Sequence, residues 1–117
     1  MSTPANDRAQ ALAAAISYLE GIGFQVRDHD WSQADGSLDI VAADQGTLVA
    51  CVLKVARRRY GAPLETVGQA RRRQLRRLAA LWLSAHGTRF DQVRIDVVGV
   101  LRDGADGFTV EHVRAVG

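Results

Sequence analysis

Lys54 is the only lysine in the chain, and it stands near the end of the apolar run TLVACVLKV at residues 47–55. An ammonium at the end of a buried strand can stabilise negative charge developing on a phosphate, or orient a water that attacks it. Just beyond it come Arg57, Arg58 and Arg59, and then Arg71, Arg72, Arg73, Arg76 and Arg77. That segment holds eight arginines against one acid, Glu65, although the whole chain carries a net charge of only +2. Guanidinium groups pair well with phosphate, so one reading is a surface for DNA or RNA that contacts the backbone without sequence preference. The other reading is a solvated helix face in a chain that favours arginine. Tyr60 would stack on a base in the first reading and pack its own loop in the second.

Cys51 is the single cysteine, which excludes an internal disulfide and reads as a small buried residue. His29, His86 and His112 are far apart, and no Cys/His spacing suits zinc. No resident metal or cofactor is expected on this basis. The N-terminus lacks a basic leader region and no apolar stretch is long enough to span a bilayer, so the expectation is a cytoplasmic protein without membrane contact. A homodimer is left open.

The elements that must position these residues follow from periodicity. Residues 1–6 are expected to form a flexible tail, and residues 7–117 a single domain. A helix over 7–21 is capped by Asn6 or Asp7, has Leu12, Ala15, Ile16 and Leu19 on one face, and ends at Gly21 and Gly23. FQVRDH reads as a short strand and DWSQADGS as a turn. SLDIVAAD (37–44) and TLVACVLKV (47–55) are joined by Gln45-Gly46 as a hairpin, the second strand being apolar on both faces and therefore central. A long helix from about Leu64, opened by Pro63 and ended by Gly87, carries Leu64, Val67, Leu75, Leu78 and Trp82 as its core stripe. Arg73, Arg76 and Arg77 point away from that stripe, whereas Arg71 lies on the stripe side. Strands over 93–101 and 108–116 complete the order αβββαββ. Trp31, in the turn, fits either surface or core.

That order is the order of the restriction-endonuclease-like, PD-(D/E)xK type of fold. Beyond the fold, GSLDIVA, TLVACVLK, YGAP, ETVGQARRRQLRRLAALWL, VRIDVVGV and HVRAV together resemble the YraN family of small bacterial proteins, over about residues 8–117. The resemblance implies an α/β domain with a mixed sheet of about five strands flanked by two main helices. It also implies a nuclease-type site, with Asp39 on the first hairpin strand and Lys54 on the second as its catalytic pair or their relic. Mg²⁺ in such a site needs hard oxygen ligands, and an acid two residues before the lysine would share its strand face.

Here the sequence departs from the family pattern. Val52 stands where that acid is expected, Ser37 where a glutamate precedes Asp39, and Leu12 where the first helix carries an acid. Asp39 alone is a poor Mg²⁺ site, and a salt bridge from Asp39 to Lys54 is expected in preference to metal ligation. Arg71 stands where the family has a lysine. The expectation is thus a nucleic-acid-binding protein with a degenerate cleavage centre. Two rivals stand beside it. One is an active Mg²⁺-dependent nuclease whose acids have moved, with Asp35, Asp44 and Asp96 as candidates. The other is a protein-interaction scaffold with no nucleic-acid role.

Overall fold

The computed structural model describes residues 4–56, 67–103 and 107–116. Its elements are α1 (Pro4–Gly21), β1 (Gln25–Gln33), β2 (Gly36–Asp44), β3 (Thr47–Ala56), α2 (Gln69–His86), β4 (Gln92–Asp103) and β5 (Gly107–Val113). The strands lie side by side in chain order in one sheet. β3 and β4 run parallel and the other neighbours antiparallel. The parallel pair requires a crossover, and α2 lies in it. This is the expected αβββαββ order and the mixed five-stranded sheet of a restriction-endonuclease-like fold.

β3 is central because its apolar run from Leu48 to Val52 leaves it no solvent face there. Val49 and Cys51 pack beneath α1 with Ala11, Leu12, Ala15 and Leu19. Leu48, Ala50 and Val52 pack beneath α2 with Leu75, Leu78, Ala79 and Trp82. Alternate residues of one strand thus serve two cores, which places the helices on opposite sides of the sheet. Trp31 joins the α2 side, half-buried, where its ring lies 6.3 Å from that of His86. No helix among the described residues is long and apolar enough to cross a membrane.

Several boundaries differ from the sequence expectation; β5, expected to reach residue 116, ends at Val113, before a left-handed Ala115 (φ 56°). α1 starts at Pro4, before Asp7, because proline suits the first helical turn, where its missing N–H costs nothing. Asp7 is therefore not a cap; it is buried and ion-paired with Arg102. β1 runs on through the segment read as a turn, as far as Gln33. It does so with a register shift between Val26 and Asp28 and a left-handed backbone at Asp30 (φ 51°). The turn is confined to residues 34 and 35. α2 begins at Gln69, with Gly68 in extended backbone at its N-cap and Val67 outside the helix, so the continuous helix expected from about Leu64 is interrupted here; Pro63 and Leu64 themselves lie outside the described residues. Its far end is as expected: Gly87 is left-handed (φ 60°) and its N–H reaches back to the carbonyls of Leu83 and Ser84.

Gly36 is the residue on which the β1–β2 turn meets α2. Its φ of 132° is one that side chains rarely adopt, and a Cβ there would lie 2.5 Å from Gln74 Nε2. Gln74 uses that approach to donate to the Asp35 carbonyl. Gly36→Ala should cost about 1–3 kcal/mol of stability, read as a lower urea midpoint at unchanged slope. An unchanged midpoint would show that the turn does not need this backbone.

Candidate functional site

Asp39 sits where β2 parts from β3. Leu38 and Val41 face α2, but Ile40 and Ala42 face α1, so the pleat of β2 slips by one residue at this point. The β2–β3 ladder ends at the pair Ile40 and Cys51. Beyond it the Leu53 N–H has no β2 carbonyl to meet, and Asp39 Oδ2 accepts it at 2.9 Å. A carboxylate thus closes the ladder in place of a peptide group.

The other oxygen, Asp39 Oδ1, lies 3.4 Å from Arg8 Nη2. The same nitrogen is 2.8 Å from Asp30 Oδ1 on β1, and Arg8 Nη1 donates to Asp30 Oδ2 at 3.3 Å. Chiefly through its hydrogen bond to Asp30, against a smaller opposing effect of burial, the Arg8 guanidinium is held in its charged form even more firmly than usual. The ion-pair partner of Asp39 is therefore Arg8, where the sequence reading had placed Lys54. The pleat gives a reason: Lys54 follows Val52 by two residues and shares its face, towards α2, whereas Arg8 comes from α1. Lys54 is half-buried and stands beside Gly99 of β4.

The positions at which the family pattern has acids are now visible. Leu12 is 8% exposed in the α1-side core, and Val52 is 9% exposed in the α2-side core. Ser37 is half-buried and pairs with Ser32 of β1. The proposed relocated acids do not converge on Lys54. Asp35 is exposed and bound to Arg77 at 2.9 Å. Asp44 pairs with Thr47, seven residues back along β3, which is about 23 Å at strand rise. Asp96 pairs with Cys51 on the α1 side of the sheet. Among the described residues no three His, Cys, Asp or Glu side chains are grouped to hold a metal ion. Both oxygens of Asp39 already have donors. The described residues do not fit Mg²⁺.

The basic residues divide. Arg57, Arg58, Arg59 and Tyr60 lie outside the described residues. In α2, Arg73, Arg76 and Arg77 are exposed, as the wheel required. Spaced at i, i+3 and i+4, they share one helix face. Arg71 and Arg72 are half-buried: Arg71 donates to Gln74 Oε1 at 2.6 Å, and Arg72 to the Val116 carbonyl at 3.3 Å. Across its 18 residues α2 carries five arginines and no acid. Trp82 is core, as expected, and its indole N–H donates to Asp28 at 2.9 Å.

A second ionic centre escaped the sequence reading in this form. Asp96 is fully buried; it accepts from Arg94 Nε at 2.8 Å and from the Ala115 N–H at 3.0 Å, and lies 2.8 Å from His112 Nε2. The other nitrogen of His112 meets the Tyr18 hydroxyl at 3.2 Å, and Arg94 also reaches Asp44. The readable sign was Arg94-x-Asp96 inside an apolar strand, since residues two apart share a face. Burial acts to raise the Asp96 pKa, but Arg94, Ala115 and His112 together outweigh it and hold the carboxyl below its ordinary value.

Comparison with known proteins gives a family. Residues 13–100 match the sequence model of the uncharacterised protein family UPF0102. Relatives described as UPF0102 proteins include one from Arthrobacter sp. (strain FB24), 43% identical over 94% of this chain and 92% of its own. Another, from Beutenbergia cavernae, is 45% identical over 86% of each chain. A third, from Renibacterium salmoninarum, is 39% identical over 88% of each.

Two outcomes follow from the buried groups. A carboxyl with a depressed folded-state pKa contributes stability above its unfolded pKa of about 3.9, and that stability is lost as pH falls through the lower folded value. Asp96→Asn should therefore flatten the acid limb of the stability profile and cost about 3–5 kcal/mol at neutral pH, because Arg94 loses a buried partner. Wild-type and variant urea midpoints from pH 2 to pH 7 check this. Burial pushes the Cys51 thiol far up, so alkylation of it should proceed only at the rate of unfolding. Prompt labelling in native buffer would contradict the packing of β3.

Proposed function

The chain belongs to the uncharacterised protein family UPF0102, the YraN family, and we propose that it binds nucleic acid through a nuclease-like fold whose cleavage centre is degenerate. One observation carries the reading: α2 exposes Arg73, Arg76 and Arg77 on one face and has no acid along its length. Helix surfaces that serve only solubility usually interleave the two signs, because pairs at i, i+4 stabilise a helix and like charges weaken it. The positive end of the helix macrodipole adds to the same field at its N-terminal turn, where Arg71, Arg72 and Arg73 stand. Such a concentration is unfavourable in isolation and is relieved by a polyanion. Arg57, Arg58 and Arg59 enter the proposal from sequence alone. Release of counterions on phosphate contact supplies the affinity, so binding is insensitive to sequence and steeply sensitive to salt.

Loss of cleavage follows from the same residues. Metal-assisted phosphodiester hydrolysis needs oxygen ligands that converge on the scissile phosphate and a water activated beside them. Leu12 and Val52 offer hydrocarbon at two of the family's acid positions, Ser37 a hydroxyl at the third, and Asp39 is committed to Leu53 and Arg8. Lys54 is the surviving half of an acid-x-lysine motif.

The test is a salt titration of binding to duplex DNA, single-stranded DNA and RNA, with the wild type and an Arg72→Glu/Arg73→Glu/Arg76→Glu variant. Each duplex phosphate contact contributes about 0.9 to the slope of log Kobs against log salt, so the variant should lose about 2–3 of that slope and at least tenfold in affinity. Binding that is absent, or present and unaffected by either salt or the substitutions, would replace this reading with the interaction scaffold.

A further inference from the structure

A nuclease of this fold gathers carboxylates around a divalent cation. Here a cation already lies between the carboxylates. We propose that Arg8 is the fixed counter-cation of this centre: its guanidinium bridges Asp30 and Asp39, offsets one of their two negative charges, and takes the place between them that a divalent metal would need. The inference rests on the reading of the centre as degenerate, and it names the residue that took over the charge.

The geometry is that of a bridge. Arg8 Nη2 lies 2.8 Å from an oxygen of Asp30 on β1 and 3.4 Å from an oxygen of Asp39 on β2. Two carboxylates on adjacent strands that converge on a single positive atom repel each other unless that charge is present. Asp30 reaches the bridge from a left-handed backbone (φ 51°), a conformation that aspartate tolerates better than most side chains. His29 Nδ1 also stands 3.6 Å from Asp30 Oδ2. Asp39, whose side chain is only 17% exposed, cannot turn to water without abandoning the Leu53 amide.

Arg8 also comes from the right element. It precedes Leu12 by four residues in α1, so the two lie on the same helix face. Leu12 occupies the position at which the family pattern has an acid. There this chain offers hydrocarbon, and one turn earlier in the same helix it presents a guanidinium to the carboxylate pair.

The exchange has a chemical consequence. A guanidinium supplies charge and fixed hydrogen bonds, and it stays protonated throughout the physiological range. It has no coordination position for a water and cannot lower the pKa of one as a metal does. A phosphate brought to this end of the sheet therefore meets carboxylates already tied to a guanidinium, with no metal-activated nucleophile.

Mn²⁺ alone, titrated at constant ionic strength and followed by the electron paramagnetic resonance of the free ion, tests the assignment without nucleic acid. The wild type should take up no Mn²⁺ at this centre. Arg8→Gln should gain a site at least about tenfold tighter than any in the wild type. Arg8→Gln/Asp39→Asn should lose it again, and Arg8→Lys, which keeps the charge, should not acquire it. Thermal unfolding confirms that each variant is folded. Wild-type uptake that disappears in Asp39→Asn would overturn the proposal, as would a folded Arg8→Gln with no gain. Should Arg8→Gln fail to fold, the wild type and Asp39→Asn decide between the two outcomes by themselves. A wild type that binds neither Mn²⁺ nor nucleic acid would contradict the proposed function and leave the role of Arg8 standing.

Discussion

From Leu48 to Val52 β3 has no face turned to water, and the rest of the molecule is arranged around that constraint. Its side chains must be covered twice, which fixes α1 on one side of the sheet and α2 on the other. Its backbone groups must all be met, because an unpaired amide in that setting costs on the order of 1–3 kcal/mol. β4 meets one edge along the whole strand, from Thr47 to Ala56, but β2 meets the other only as far as Cys51. Asp39 supplies the acceptor that β2 no longer provides for Leu53. The most nuclease-like acid of the chain is therefore first a structural group, tied to the completion of the central strand.

Two ionic centres flank β3, both on the α1 side of the sheet. In one, Arg8 joins Asp30 and Asp39. In the other, Arg94 joins Asp44 and Asp96, with His112 and the Ala115 amide completing the shell of Asp96. Each sets one arginine between two aspartates drawn from different strands, in a fully buried setting for Asp96 and a half-exposed one for Asp30. The opposite side of the molecule is different in kind. There α2 turns a run of arginines outward, with Arg77 drawn back to Asp35. Carboxylates tied to arginines on one side and an acid-free arginine helix on the other are what the proposed binding of a polyanion without chemistry calls for.

Much of the fold was legible in the sequence because single residues dictated it. The two-sided apolar run fixed β3 as central, Gln45-Gly46 closed the hairpin, Gly87 ended α2, and Leu75, Leu78 and Trp82 marked its buried face. Asp39 and Lys54 were recognisable as neighbours across a hairpin, but their relation was misjudged. One slipped residue in β2 turned Asp39 towards α1, and no periodicity announces such a slip. Arg8 left no sign, since it lies 31 positions from Asp39, one turn before the apolar face of α1 begins at Leu12, and its side chain is 42% exposed. The extension of β1 through Asp30 was hidden for a related reason: a left-handed residue inside a polar segment reads as a turn until a neighbouring strand pairs with it.

The central claim is that this fold holds nucleic acid without cutting it and without needing a metal to do so. Its most direct test is to incubate end-labelled DNA and RNA with the protein in Mg²⁺, in Mn²⁺ and in a chelator at matched ionic strength, and to follow binding and strand integrity together. The account predicts equal affinity in all three and intact strands throughout. Strand cleavage that requires the metal and disappears in Asp39→Asn would contradict it.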